Sequence, residues 1–219
     1  MKNSSSIASR RYFLSSAIAG VAATAGTVEA AQCGPTGGDI LGPFYRPNSA
    51  SSVKVGFIQL AKVNESGKRI TLTGRVLRPD CKTPVANAVV DAWQANDKGA
   101  YDIKTPDEVI APENYNLRGQ TRTNDKGEFV LDTVMPGKYG IPPGLEGFES
   151  HAGKTRPAHV HLTITHPVYL PLTTQVYFQN DTQIKDDPWA RHSELIAKIS
   201  GTNATVDIVL GNTPPKKRA

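Results

Sequence analysis

The chain has 219 residues, a formal net charge of +5 and 38% hydrophobic residues, which is enough for one domain with a sizeable core. The charge is concentrated at the two ends: residues 1–30 carry +2, and the tail "PPKKRA" carries +3. Because the body between them is close to neutral, the sequence shows no basic face of the kind that binds nucleic acid.

Residues 1–30 have the pattern of a cleaved export signal. An arginine pair at 10–11 precedes a mildly apolar run at 17–27, and the small residues at 28–30 provide a cleavage site. The run is too short, and too rich in Ala, Gly and Thr, to span a bilayer, and the paired arginines favour the twin-arginine route. We therefore expect cleavage near Ala30, export to the periplasm or the exterior, and no membrane anchor. A disordered basic N-terminus is the alternative interpretation.

Cys33 and Cys81 are the two cysteines of the chain. In an exported protein a pair of cysteines is typical of a disulfide, and here a bridge would attach the mature N-terminus to the body. The sequence leaves the bridged and the unbridged states equally open.

The remaining chain predicts an all-β fold. Strand-like runs rich in Val, Thr, Ile and aromatic residues alternate with turns rich in Asn, Asp, Gly and Pro, and the only competing helix is a short one at 188–200. We therefore expect a β-sandwich of mostly antiparallel strands with long loops over residues 31–212, followed by a basic disordered tail at 213–219. The predicted strands are 69–77, 87–95, 127–134, 158–166, 173–179 and 204–210.

The strand "RPAHVHLTI" at 156–164 carries two histidines, His159 and His161. Side chains at i and i+2 of a strand point to the same face, so the two imidazoles project together. They are either a partly exposed pair on a polar face or two ligands of one metal. No cysteine or carboxylate lies at a telling spacing, which leaves tyrosine as a further donor.

Tyr101 and Tyr139 each follow a glycine turn, in "NDKGAYD" and "MPGKYG". A phenolate is a hard, anionic oxygen donor that suits Fe(III) better than Zn(II) or Cu(I). Two phenolates and one hydroxide neutralise Fe(III), which makes two tyrosines and two histidines a chemically reasonable ferric site. Spacing alone does not distinguish such a site from tyrosines that only pack at strand ends.

Longer segments add a family resemblance. The pieces "LGPFYRP", "VVDAWQANDKGAYD", "LRGQTRTNDKGEFVLDTVMPGKY", "RPAHVHLTI" and "TTQVYFQND" occur in this order along most of the mature chain. In this order they resemble the intradiol ring-cleavage dioxygenases, with a lean towards the protocatechuate 3,4-dioxygenase-like members. The resemblance implies a non-haem Fe(III) enzyme, one iron per chain, that uses O2 to open a catechol-type diol to a cis,cis-muconate-type product.

Residue by residue, the resemblance assigns the ferric ligands and the pocket. Tyr139 and His161 would be the axial ligands, and Tyr101 and His159 the equatorial ones. In the implied mechanism Tyr139 leaves the iron and takes a substrate proton, which makes it catalytic. The resemblance also assigns three residues to the substrate pocket. Arg156 would face the substrate and stabilise developing negative charge, and Gln175 would lie near the pocket. Tyr45 is a weaker substrate-binding candidate. Without the resemblance, Arg156 would be interpreted as part of a surface salt bridge, Gln175 as a hydrogen-bonding residue at a strand end and Tyr45 as a packed aromatic. Trp93 is interpreted as a core residue.

Two departures from the family pattern leave the substrate open. Tyr139 and His159 are 20 residues apart, so the loop 140–155 is longer than expected for the protocatechuate-type members. We expect His151 in this loop to have no role in binding the substrate. A long helical segment ahead of "LGPFY" is also missing, which favours the protocatechuate-like branch or a stand-alone secreted branch. Arg118 and Arg122 are specificity candidates that read equally well as surface charges, and a homo-oligomer remains possible.

Two other functional classes compete with the dioxygenase. A non-catalytic secreted β-sandwich binding module fits the first half of the chain but predicts nothing special at 156–161. A copper or zinc hydrolase could use the histidine pair, but it leaves Tyr101 and Tyr139 without a role.

Overall fold

The computed structural model describes residues 33–47, 53–105, 107–193 and 195–212. The predicted signal at 1–30 and the predicted tail at 213–219 lie outside these ranges, so both stay predictions. Within the described ranges, no helix has the length and apolar character needed to cross a bilayer.

The described chain is almost entirely strand and loop. The predicted runs correspond within two residues at each end to β3, β4, β6, β9, β10 and β12. The strands are β1 (Lys54–Val55), β2 (Phe57–Gln59), β3 (Arg69–Leu77), β4 (Val89–Gln94), β5 (Arg118–Arg122), β6 (Glu128–Val134), β7 (Tyr139–Gly140), β8 (Thr155–Arg156), β9 (His159–Thr165), β10 (Leu172–Phe178), β11 (Ile196–Ser200) and β12 (Asn203–Val209). Short 3-10 helices cover Pro112–Asn114, Glu149–His151, Thr182–Asp186 and Ala190–His192.

A ten-stranded sheet in the order β1-β5-β4-β9-β10-β11-β12-β3-β6-β2 forms the body, and β7 pairs with β8 beside it. The pairs β1/β5, β10/β11, β12/β3 and β2/β6 are parallel, and the other pairs are antiparallel. One apolar cluster combines side chains of β4, β9 and β10 with side chains of β3, β6 and β12, so the two halves of the sheet pack face to face. The predicted β-sandwich is confirmed.

The short helix that the sequence allowed at 188–200 does not form. In the described part of this segment the structure has a 3-10 turn at Ala190–His192 and strand β11, which pairs with β10 and β12. Ala197 is buried and Ile199 half-buried, whereas Ile196 and Lys198 are exposed. Burial that alternates from one residue to the next is typical of a strand. Pairing with β10 and β12 provides hydrogen-bond partners for the backbone N–H and C=O groups of this segment.

The outer face of β9 is covered rather than exposed. Val160, Leu162 and Ile164 point into the sandwich core, so His159 and His161 point the opposite way. Both histidines are nevertheless only 2% exposed. Part of their cover is the segment 33–47, which is attached to the sheet by the bond from Asp39 N to Thr173 O (2.9 Å).

Gly56 links the two edges of the sheet. It separates β1 from β2 with a φ of +79°, a backbone conformation that glycine adopts without steric cost. Its N–H donates to Arg122 O (2.7 Å) at the end of β5, and its carbonyl accepts from Val130 N (3.0 Å) on β6. One short segment therefore completes both ends of the ten-strand order.

Candidate metal centre

The register of three neighbouring strands places the histidines in a row of large side chains. Trp93 on β4 pairs with His161 on β9, which in turn pairs with Gln175 on β10. Two residues before His161 on β9, His159 pairs with Tyr177 on β10. Partners that lie directly opposite in adjacent strands share a face, so the outer face carries both imidazoles side by side with these three side chains.

Tyr101 and Tyr139 approach this pair of imidazoles from two loops. His159 Nε2 lies 3.2 Å from His161 Nε2, the phenol oxygen of Tyr101 lies 3.1 Å from His161 Nε2, and that of Tyr139 lies 3.5 Å from His159 Nε2. The two phenol rings meet edge to face, with centroids 5.6 Å apart. The residues predicted as metal ligands therefore present four donor atoms to one point.

Two glycines bring the tyrosine-bearing turns together. A side-chain carbon on Gly99 would lie 2.3 Å from Lys138 O and 2.9 Å from Tyr139 Cβ. One on Gly137 would lie 2.5 Å from Asp97 O. The backbones touch because neither residue has a side chain, and this contact sets how close Tyr101 lies to Tyr139.

Burial keeps both imidazoles uncharged. It lowers the pKa of His159 to about 3, with a further contribution from the positive charge of Arg156. Burial, followed by the neighbouring His159, holds the pKa of His161 well below its usual range. His159 Nδ1 lies 2.7 Å from Pro157 O, which can only accept a hydrogen bond. The proton of His159 is therefore on Nδ1, and its Nε2 lone pair faces the cluster.

The phenols of the cluster are also neutral in the protein alone. Burial is the main cause that raises the pKa of Tyr101, and the nearby Tyr139 adds to it. Burial likewise raises the pKa of Tyr139, although the charge of Arg156 acts in the opposite direction. Ionising these phenols at neutral pH therefore needs a strong cation close to both oxygens.

The donor set fits a hard metal ion. Because His159 Nε2 is unprotonated, its approach to His161 Nε2 at 3.2 Å requires a proton or a cation between the two nitrogens. The separations of 3.1 to 3.5 Å match the edges of a coordination polyhedron with metal–donor bonds of about 2.1 Å. Within the ranges that the structure describes, no group of three or more His, Cys, Asp and Glu side chains could hold a metal, so a centre here depends on its tyrosines.

Arg156 lies beside the cluster in a network of buried hydrogen bonds. It pairs with Tyr139 across β7/β8 and is 2% exposed. Its Nη2 donates to Gln175 Oε1 (2.8 Å) and Tyr177 Oη (3.0 Å), and its Nε donates to Asp187 Oδ2 (2.6 Å). The structure thus brings the predicted pair Arg156 and Gln175 into direct contact next to the ligands.

Tyr45 lies one layer behind the cluster. Its hydroxyl donates to Asp91 Oδ2 (3.3 Å), and its ring packs on Trp93 at a centroid distance of 4.8 Å. Trp93 is buried as predicted, but it also stacks on the His161 ring at 4.7 Å, with an angle of 9° between the planes. The neighbour Phe44, which the sequence did not single out, stacks on Tyr101 at 4.4 Å.

The cavity above the cluster is small and largely apolar. It measures about 10 Å³, which is room for about one water molecule, so a ring-sized ligand requires the wall to move. Its lining residues come from the N-terminal segment, the loop after β7 and the region around Arg156: Ile40, Gly42, Pro43, Phe44, Tyr139, Ile141, Pro142, Leu145, Phe148, Arg156 and Trp189. The loop 140–155 therefore contributes to the wall of this cavity.

A larger cavity of about 530 Å³ lies beyond Trp189, between residues 35–40 on one side and Pro188, Trp189, Ser193 and Leu195 on the other. It shares Ile40 and Trp189 with the small cavity, but none of the four donor side chains lines it. The smaller cavity, which Tyr139 and Arg156 line, is therefore the one that adjoins the candidate metal ligands.

The remaining candidates have structural roles. Arg118 is buried, and its Nε donates to Asp102 Oδ2 (2.8 Å) while its Nη1 donates to Phe44 O (2.9 Å). It therefore fixes the residue after Tyr101 and is not a surface charge. Arg122 donates a long bond to Asn87 O (3.4 Å), and the His151 ring packs against the Trp189 ring at a centroid distance of 4.9 Å.

A disulfide joins Cys33 to Cys81 in the structure. The bridge ties the start of the segment that carries Asp39, Ile40 and Phe44 to the turn after β3. The wall of the small cavity is therefore attached covalently to the sandwich.

Three site residues were not predicted from the sequence: Asp187, Trp189 and Tyr177. Asp187 precedes a proline and a short helical turn, which is the pattern of an N-cap, so a signal was present. Tyr177 lies two residues after Gln175 on the same strand and therefore on the same face, so the sequence also contained a signal for its position. The position of Trp189 over Arg156 depends on the tertiary fold and left no local signal.

Known proteins share both the sequence pattern and the fold. A dioxygenase family model matches residues 40–213. The chain is 37% identical over 193 residues to intradiol ring-cleavage dioxygenase prcA of Aspergillus niger, covering 84% of this chain and 60% of that protein. It is 32% identical over 171 residues to chlorocatechol 1,2-dioxygenase of Rhodococcus opacus, covering 75% of this chain and 65% of that protein. The chain thus spans about three fifths of the length of these relatives.

Among solved structures, the dioxygenase domain of a dioxygenase–carbohydrate-binding protein fusion from Streptomyces sp. SirexAA-E superposes with a TM-score of 0.60 and 27% identity. The match covers 82% of this chain and 99% of that domain. With the family model matching most of the chain, the chain belongs to the intradiol ring-cleavage dioxygenase family.

Proposed function

We propose that the protein is a non-haem Fe(III) intradiol dioxygenase that cleaves a catechol-type diol with O2 to a cis,cis-muconate-type product. The observation that carries the proposal is the row of contacts that joins two phenol oxygens and two imidazole nitrogens. Tyr101 Oη lies 3.1 Å from His161 Nε2, which lies 3.2 Å from His159 Nε2, which lies 3.5 Å from Tyr139 Oη. Membership of the intradiol family and the names of the relatives support it. A non-catalytic binding module has no use for such a cluster.

Tyr101, Tyr139, His159 and His161 would hold the ferric ion, which supplies Lewis acidity that makes the bound diol reactive towards O2. His159 and His161 are neutral and so offer lone pairs without first losing a proton. Tyr139 lies at the open side, where it lines the cavity. Because burial raises the pKa of Tyr139, its phenolate oxygen would be a good proton acceptor and could serve as the base for the incoming diol.

Arg156 supplies the electrostatic part of the site. Its guanidinium lines the cavity beside Tyr139 and is fixed before substrate binds, because its Nε and Nη2 atoms already donate to protein acceptors. A cation held in place near the ring stabilises negative charge that develops on it without reorganisation. The apolar wall from Phe44, Ile141 and Phe148 excludes water and strengthens this interaction.

The proposal is tested by iron content, colour and turnover. Purified protein is expected to hold one iron per chain and to show a visible tyrosinate-to-iron absorption band that shifts to longer wavelength with anaerobic catechol. Tyr101→Phe should weaken the band, whereas Tyr169→Phe, outside the cluster, should not. Oxygen uptake should match diol consumption one to one, with both oxygen atoms in the product. Protein that stays colourless after reconstitution with iron would contradict the proposal.

We also propose export of the folded protein by the twin-arginine route, on the basis of the arginine pair at 10–11. Fractionation of cells that produce the full chain should place the mature protein outside the cytoplasm. Replacing both arginines by lysine should retain it inside. Unchanged export of that variant would contradict the assigned route.

A further inference from the structure

We infer that Asp187 is a positioning residue of the proposed active site, holding Arg156 and its cover Trp189 in one arrangement. Asp187 is 1% exposed and follows the 3-10 helix Thr182–Asp186. Its Oδ2 accepts from Arg156 Nε (2.6 Å), and its Oδ1 accepts from the backbone N–H groups of Trp189 (3.0 Å) and Ala190 (2.7 Å). One carboxylate therefore binds both the cation and the chain that covers it. The catalytic consequence rests on the proposed function.

Trp189 completes the enclosure of the guanidinium. The Cζ atom of Arg156 lies 4.6 Å from the centroid of the Trp189 ring, within the range of a cation–π contact. Trp189 also lines both cavities, so it separates the small one above the cluster from the larger one beside it. The backbone of Trp189 is held by the same Asp187 side chain that binds Arg156, so the ring and the cation keep their relative position.

Arg156 is anchored on the opposite side by residues that are themselves fixed. Gln175 Nε2 donates to Ile40 O (2.9 Å), and Tyr177 Oη donates to Asp39 Oδ2 (2.8 Å). With Asp187 on the Nε side and these two on the Nη2 side, the guanidinium plane has one orientation. Loss of Asp187 removes the only ionic anchor among these contacts.

Charge makes the role of Asp187 specific. The side chains of Arg156 and Asp187 are 3% and 1% exposed, so water cannot replace the carboxylate as a partner of the cation. Removing one partner leaves an uncompensated buried charge, which favours any movement that brings the guanidinium to solvent or to another acceptor. A displacement of about 1 Å of a positioned group can lower a catalytic rate about 100-fold.

Asp181 provides a matched comparison within the same segment. It caps the preceding 3-10 turn through Gln183 N (2.9 Å) and pairs with the half-exposed Lys138 Nζ (2.5 Å). Asp181 therefore resembles Asp187 in having a capping role and a cationic partner, but its partner, Lys138, is not in the network around Gln175. Asp181 Oδ2 also accepts from Ala158 N (3.2 Å), a bond that the amide oxygen of asparagine can still accept. A purely structural role for Asp187 predicts that the two aspartates behave alike.

The test compares Asp187→Asn and Asp187→Ser, which keep a capping oxygen but lose the charge, with Asp181→Asn. Each variant is made in the full chain and in an Arg156→Met background. In the iron-loaded enzyme we expect iron content and the visible band to be unchanged for all. With catechol, kcat should fall on the order of 100-fold for either Asp187 variant, KM should change less than about threefold, and Asp181→Asn should keep its kcat. In the Arg156→Met background, the Asp187 substitutions should lower kcat no further.

Equal losses in Asp181→Asn, loss of colour in both Asp187 variants, or additive losses in the Arg156→Met background would overturn the inference. Urea unfolding of the iron-free protein gives a readout that does not need activity. The Asp187 substitutions should lower the urea midpoint only where Arg156 is present. Iron-loaded wild type that turns over no diol would contradict the proposed function. The urea comparison would still decide whether Asp187 acts through Arg156. Equal shifts of the urea midpoint in both backgrounds would overturn the inference.

Discussion

The contact between the two tyrosine-bearing turns predicts that Gly99→Ala will lower iron binding without unfolding the sandwich. A side-chain carbon at this position meets Lys138 O at 2.3 Å and Tyr139 Cβ at 2.9 Å, and φ is +80°. Ordinary contacts between carbon atoms are about 3.5 to 4.0 Å, so the turns must separate by about 1 Å. The left-handed backbone adds about 1–2 kcal/mol for alanine.

Metal centres do not tolerate such a shift. Ligand distances must stay within about 0.2 Å of their ideal values, and a 1 Å separation of the turns moves Tyr101 or Tyr139 well outside that range. We expect iron affinity to fall about 10- to 100-fold, as for substitutions that disturb the support of a ligand. Iron per chain and the visible band, measured during titration against a competing chelator, give the size of the effect.

Gly201→Ala is the matched control for the backbone cost. Gly201 has φ +63°, but a side-chain carbon there has no neighbour within 4 Å. This variant should lose about 1–2 kcal/mol of stability and keep full iron binding. If Gly99→Ala binds iron as tightly as wild type, with an unchanged band, then the glycine contact does not set the spacing of the tyrosines.

Other substitutions test the supports of the site. Cys33→Ser removes the bridge to Cys81 and should lower the free energy of unfolding, measured in urea, by about 2–4 kcal/mol. Dithiothreitol reduces the same bridge, so it should destabilise the wild type equally and leave the variant unchanged. Asp102→Asn leaves Arg118 buried without its counter-charge and should cost about 3–5 kcal/mol; a loss below 1 kcal/mol would mean that water reaches the arginine. Iron should raise the thermal midpoint of the wild type, because it binds only the folded chain, and should raise that of Tyr101→Phe less, as scanning calorimetry would show.

The strands and the histidine pair were predictable because they depend on short-range periodicity. Alternation along β9 sends Val160 and Leu162 to the core, so His159 and His161 had to share the other face. The strand β5 escaped prediction because its sequence "RGQTR" has no apolar alternation, and it is held by its neighbours β1 and β4. A short helix remained an alternative at 188–200 because the apolar residues of this segment fit both periods until sheet pairing decides between them.

The tyrosines and the Arg156 network show where sequence reasoning stops. Local pattern places Tyr101 and Tyr139 after turns, but only the resemblance joined them to the histidines. Their proximity depends on Gly99 meeting the chain before Tyr139 across 40 residues, and no local signal carries such a contact. Asp187 was marked by its capping position, yet its bond to Arg156 is a property of the tertiary fold.

The short segment around Gly56 has a consequence for the behaviour of the protein in concentrated solution. The outermost strands, β1 and β2, are two and three residues long, and the glycine between them bonds to both neighbouring strands. Strands as short as these offer few free backbone groups to a second molecule, so self-association by strand addition is disfavoured. The same six residues protect both edges, and their detachment would expose β5 and β6 together, making this segment the place where aggregation would begin.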